Sequence, residues 1–166
     1  MRFLLREHVI RDNPGLDVRA PKSRRRLPRT LDADQMGKLL EIPGDDPLSR
    51  RDRAIMELFY SSGLRLSELC ALTLVDLDLA DRTVRVTGKG GKTRILPVGA
   101  RAITALREWL AERASFAKNA GTALFVGANG RSVSPRTIQT RVARRAREQG
   151  LPMHVHPHLF RHSFAS

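Results

Sequence analysis

Three short stretches hold residue types that can act on a phosphate or a metal. They are SGLRLSEL around Arg65, the glycine-rich VTGKGGKTRILPV (Val86 to Val98) with Lys89 and Lys92, and HVHPHLFRH (His154 to His162) with its single arginine, Arg161. The middle stretch invites comparison with the phosphate loop of nucleotide hydrolases, which needs a glycine five residues before Gly-Lys-Ser/Thr and a helix directly after it. Counting back from Gly91 places that glycine on Val86, and Ile95, Leu96, Pro97 and Val98 read as a short β segment ended by proline. The stretch is therefore expected to be a hairpin tip, and the purpose of a lysine there stays open. The histidines raise a second option, because His158 and His162 stand four apart, as zinc ligands on a helix can. Pro157 breaks the helical phase upstream, and the segment holds no thiolate or carboxylate. No metal is expected.

The elements that must position these residues are legible from periodicity and caps. Asp32 with Gln35 three residues on forms a capping box, followed by a buried stripe of Met36, Leu39 and Leu40. A helix near Arg50–Ser62 repeats Ala54, Ile55, Leu58 and Phe59 at three- and four-residue spacing, and Gly63 interrupts it before a short helix in LRLSELCALTL. TVRVT puts Val84 and Val86 on one face, so a strand leads into the glycine-rich tip and a second strand leads out. A helix over about Arg101–Ser115 sets Ala102, Leu106 and Leu110 in register. Another has Ser134 as N-cap, Pro135 at its first position and Gly150 as terminator. The predicted fold class is α+β, mainly helical with a small antiparallel sheet.

Composition narrows the partners. The 166 residues carry a formal net charge of +13, with 25 arginines against 5 lysines, and an excess this large points to a polyanion, above all nucleic acid. Aromatic residues are only 5% of the chain, which argues against a single-strand binder built on stacking platforms. One cysteine, Cys70, excludes a disulfide framework and fits a reducing cytoplasm. No apolar run approaches the roughly 20 residues of a membrane span. NPGLDVRAPKSRRRLPRT has linker composition, which predicts a boundary near residue 28: residues 1–27 as a basic linker behind the remnant of a preceding domain, and 28–166 as the main domain.

YSSGLRLSELCAL, LDLADRTVRVTGKGGKTRILPVG and HVHPHLFRHSFAS, in this order and spacing, resemble the catalytic domain of tyrosine recombinases, also called phage-integrase-type recombinases. Within that family the chain looks most like the bacterial Xer-type resolvases of chromosome dimers. The resemblance implies that Arg65, Lys89, His158 and Arg161 are catalytic. It implies attack by a tyrosine on a DNA phosphodiester to give a 3′-phosphotyrosyl link, with no metal and no cofactor. It also implies double-stranded DNA as partner, and identical or related recombinase subunits in a tetramer on that DNA. The chemistry suits the residue types. Two guanidinium forks can hold the charge that builds on the nonbridging oxygens, and a hairpin lysine can protonate the leaving 5′-oxygen. His158 can assist the proton from the nucleophile or hydrogen-bond the phosphate.

Other residues receive humbler expectations. Lys92 and Arg94, and Arg141, Arg144 and Arg145 on the last full helix, are expected to track the DNA backbone, although a basic helix face is often merely solvated. Glu68 is expected to brace a helix or an arginine rather than act as a base. The family's nucleophile follows the H-x-x-R motif, whereas the single tyrosine here, Tyr60, precedes Arg65 and is expected to be structural. On this reading residues 1–166 contain no nucleophilic tyrosine and resemble a fragment that does not cleave or join DNA by itself. Phe160 and Phe164, near the chain end, are expected to lack part of their packing.

Overall fold

The computed structural model describes residues 31–88, 90–151, 155, 159 and 160. Among the described residues, five α-helices of six residues or more, α1 (Ala33–Leu40), α2 (Pro47–Ser62), α3 (Leu66–Ala71), α4 (Ala100–Phe116) and α5 (Pro135–Glu148), accompany a three-stranded antiparallel sheet of β1 (Leu77–Asp78), β2 (Thr83–Thr87) and β3 (Thr93–Pro97) in the order β1-β2-β3. The predicted α+β class, mainly helical, is the one observed.

Local signals set the helix starts. Asp32 and Gln35 form the expected capping box on α1, and the Ser134 hydroxyl accepts from the Thr137 amide to open α5. Helix α2 begins three residues earlier than its apolar repeat suggests. The Asp46 carboxylate accepts from the Leu48 and Ser49 amides at 3.1 Å each, with Pro47 at the first helical position. Removing this cap with Asp46→Ala is expected to cost about 1 kcal/mol, read by urea denaturation. The short helix around Leu66 covers only part of LRLSELCALTL, since Leu72 leaves helical geometry and a 3-10 turn follows at Leu74–Asp76.

The core forms chiefly where α2 lies along α4. Ala54, Ile55, Leu58 and Phe59 of α2 and Ala102, Leu106 and Trp109 of α4 are all buried, while Leu110 is partly so. Ion pairs from Arg50 to Glu112 (2.7 Å) and from Arg53 to Glu108 (3.1 Å) line the rim of this helix pair. The sheet closes one end, with Val84 and Val86 turned inward as the alternation predicts. The brief third strand, β1, was not anticipated; two residues are too few to leave a period.

One expectation is overturned. Phe160 is fully buried, its ring stacked on Phe59 at 5.3 Å between centroids, and Leu159 beside it is buried as well. Its stacking partner comes from α2, distant in sequence. Phe164 and residues 1–30 lie outside the described residues. Tyr60, as expected, is partly buried against the core. Among the described residues, no helix is long and apolar enough to cross a membrane.

Candidate functional site

Arg65 owes its position to a tight sequence of events at the end of α2. Gly63 adopts φ 55°, the left-handed conformation that ends a helix at low cost for glycine. Leu64, wholly buried, then anchors the chain, and Arg65 stands at the N-cap of α3 with extended backbone. Its own amide donates to Glu68 Oε2 at 2.8 Å, the reciprocal half of a capping box. The side chain remains 59% exposed.

The hairpin is held against the same place. Ser62 Oγ donates to the Pro97 carbonyl at 2.9 Å, tying α2 to the far end of β3. A Cβ on Gly99 would stand 3.1 Å from that of Ser61, so glycine permits the close approach of this corner to α2. The Gly88 amide donates to the Lys92 carbonyl at 2.8 Å and closes the base of the glycine-rich tip.

Between α3 and the hairpin lies an open cleft of about 670 Å³, lined by Arg65, Ser67, Glu68, Ala71, Thr87, Gly88, Lys92, Thr93 and Arg94. Glu68 sits at its floor, its side chain 5% exposed. Oε1 accepts from Arg65 Nη1 and Arg94 Nη1, both at 3.0 Å, and Oε2 accepts from Arg94 Nη2 and the Arg65 amide, both at 2.8 Å. Burial pushes the Glu68 carboxyl up, but the hydrogen bonds from Arg94 and Arg65 outweigh it and leave its pKa at about 2. The carboxylate therefore stays ionised and cannot serve as a base near neutrality. It braces two arginines, as expected for Glu68.

The expected site residues divide as follows. Arg65 and Lys92 share the cleft. Arg94 shares it too, but its two-pronged bond is committed to Glu68. The fork that could grip a phosphate is here closed on a carboxylate. Lys89, His158 and Arg161 lie outside the described residues, as do His154, His156 and His162. On α5, Arg144 is exposed and bonded to Glu148 at 2.7 Å, and Arg141 is half-buried, 3.5 Å from Asp52. Arg145 departs from expectation. It is 7% exposed and lies 3.6 Å from Glu148, so it faces the interior rather than a DNA backbone. On an amphipathic helix the apolar stripe is wide enough to take in a neighbouring arginine, and the sequence does not say which one.

Sequence reasoning missed a second buried arginine system. Arg51, 1% exposed, donates to Asp52 and to the Val126 carbonyl, and Arg113 holds the Gly121 and Ala123 carbonyls. These guanidiniums pin the segment between α4 and α5 and take no part in the cleft. Part of the +13 charge is thus spent on structure.

Comparison with known proteins agrees with this architecture. The phage integrase family profile matches residues 29–166. The chain is 52% identical to the tyrosine recombinase XerC of Alcanivorax borkumensis and 55% identical to that of Azotobacter vinelandii, in each case over 99% of this chain and 55% of the relative. It spans about half the length of the curated relatives it matches. Among solved structures, XerA recombinase superposes with a TM-score of 0.74 at 29% identity, over 91% of this chain and 54% of that one. The XerH site-specific recombinase bound to palindromic difH substrate superposes with a TM-score of 0.72 at 27% identity, over 84% of this chain and 41% of XerH. With the family profile covering most of its length and its helices and hairpin arranged as in these recombinases, the chain belongs to the phage integrase family.

Proposed function

We propose that this chain supplies the phosphate-holding centre of a site-specific DNA recombinase of the Xer type, which cuts and rejoins strands through a 3′-phosphotyrosyl intermediate and resolves chromosome dimers. One observation carries the reading: Arg65 stands exposed in a cleft between α3 and the hairpin, with its backbone locked and Lys92 on the opposite wall. A preorganised guanidinium of this kind stabilises charge on a phosphoryl oxygen without reorganising during the reaction. The roles of Lys89 as general acid, of His158 as proton carrier or phosphate ligand, and of Arg161 as the second guanidinium belong to the same proposal. So do the boundary near residue 28, the tetramer on DNA and a cytoplasmic setting.

The partner is double-stranded DNA. The net charge supports it, and Lys92 at the cleft, with Arg141 and Arg144 on α5, are the cations proposed to follow the backbone.

The test is a chimera in which residues 29–166 replace the matching segment of the A. borkumensis recombinase, assayed for covalent adduct on a nicked DNA substrate. Adduct is expected, and Arg65→Ala is expected to slow its formation about 100-fold or more. An unchanged rate in that variant would overturn the role of Arg65. A folded chimera that binds DNA but never forms adduct would favour the second reading, a non-catalytic DNA-binding module using the same basic cleft.

A further inference from the structure

Arg94 stands opposite Arg65 across one carboxylate, and the charges around that carboxylate do not balance pairwise. Glu68 carries a single negative charge and accepts from two guanidiniums, Arg94 through both terminal nitrogens and Arg65 through one. If Arg65 were its sole partner, a buried carboxylate would neutralise the very cation that faces the cleft. With Arg94 present, the fork geometry favoured by guanidinium and carboxylate is satisfied from β3, and one net positive charge remains at the cleft wall. Placement agrees. Arg94 is half-buried, whereas Arg65 is 59% exposed, so the more accessible cation is the one with surplus charge.

The same bond fixes the hairpin. Gly88 lies directly over the cluster, since a Cβ built on it would be 3.6 Å from Arg94 Nη1 and 3.9 Å from Glu68 Oε1. The base of the tip is therefore seated on the Arg94–Glu68 pair, and the next residue in the chain is Lys89.

We infer that Arg94 is a positioning residue: by occupying Glu68 it leaves the charge of Arg65 available to a DNA phosphate and seats the hairpin on α3. This rests on the proposed phosphate-holding role of Arg65. It separates Arg94 from the backbone-tracking cations with which its position would group it.

The experiment measures binding of the 166-residue chain to a fluorescent duplex over a salt series, with thermal melts to confirm folding. Arg65→Ala is expected to weaken binding several-fold and to lower the salt slope by about one. Arg94→Gln is expected to weaken it about fivefold when Glu68 is intact, yet by less than about twofold when combined with Glu68→Gln, because a neutral amide no longer competes for Arg65. A direct DNA contact by Arg94 predicts equal losses in both backgrounds and would overturn the inference while leaving the role of Arg65 intact. If Arg65→Ala leaves affinity and slope unchanged, the functional reading fails, and Arg94→Gln without effect beside it ends the inference too. Should Arg94→Gln not fold, Arg94→Lys is read in its place. A direct contact tolerates that change within about twofold, whereas loss of the fork costs threefold or more.

Discussion

Trp109→Ala is expected to lower the unfolding free energy by about 3–5 kcal/mol. The indole has no exposed surface, lies in the middle of α4 and is hydrogen-bonded to the segment leading to α5. Truncation removes its apolar area from the core and leaves a cavity that two packed helices close only in part. It also orphans the Leu124 carbonyl, which accepts from Nε1 at 3.0 Å, and it removes the tilted contact with Phe116 at 6.4 Å between centroids. A buried carbonyl without a donor costs about 1–3 kcal/mol by itself, so the outcome should fall toward the upper end. For a chain of this size the midpoint should fall by roughly 10 °C or more. Trp109→Phe restores most of the volume but not the donor, and should recover more than half of the loss. Urea denaturation with an unchanged m-value is the measurement, and a loss under about 1 kcal/mol would contradict this account of the core.

The second large effect is pH dependence through Glu68. Its pKa is about 2 in the folded chain against a reference of 4.5. Because the folded value is depressed, the unfolded state binds a proton first as the solution is acidified. The stabilisation is therefore complete above about pH 5 and is lost progressively as pH falls through 4.5 toward 2. A displacement of this size corresponds to at most roughly 3 kcal/mol, reduced by solvent screening at the open cleft. Asp46, lowered chiefly by the Ser49 hydroxyl, and Glu148, lowered chiefly by Arg144, act in the same direction. Glu57, raised by burial, acts in the opposite one. The variant Glu68→Gln isolates the contribution of the cluster. It should be less stable than the parent at pH 7, since Arg65 and Arg94 then face each other without a counter-charge, and the gap should close on approach to pH 2. Denaturation curves collected between pH 7 and pH 2.5 would show it, and a gap independent of pH would mean that Glu68 is not held ionised by the two arginines.

These two effects reach the proposed chemistry differently. Trp109 acts on the scaffold as a whole, through the helix pair that carries Gly63 and Arg65 at one end. Glu68 acts on the cleft itself. A variant of Trp109 should lose DNA binding only as the fold is lost, whereas variants around Glu68 should change binding in chains that remain folded.

Local chemistry made much of this protein readable from its residues. Caps at Asp32 and Ser134, the turn glycine at Gly63 and the alternation of Val84 and Val86 each act over a few neighbouring positions, so the helices and the hairpin could be placed in advance. The order of the three motifs around Arg65, Lys89 and His158–Arg161 carries the resemblance to the family, and the bracing expected of Glu68 is seen in its bonds to Arg65 and Arg94. What each arginine does was another matter. Arg51, Arg94, Arg113 and Arg145 look alike in the chain, yet folding gives Arg51 a carboxylate and a carbonyl to hold, Arg113 two carbonyls, Arg94 the carboxylate of Glu68, and Arg145 a buried place on α5. Phe160, expected to be loosely packed, instead stacks on a ring a hundred positions away. The physical reason is common to these cases. Partners of a guanidinium or an aromatic ring are chosen by burial and by contacts between distant segments, and those exist only once the tertiary fold has brought the segments together.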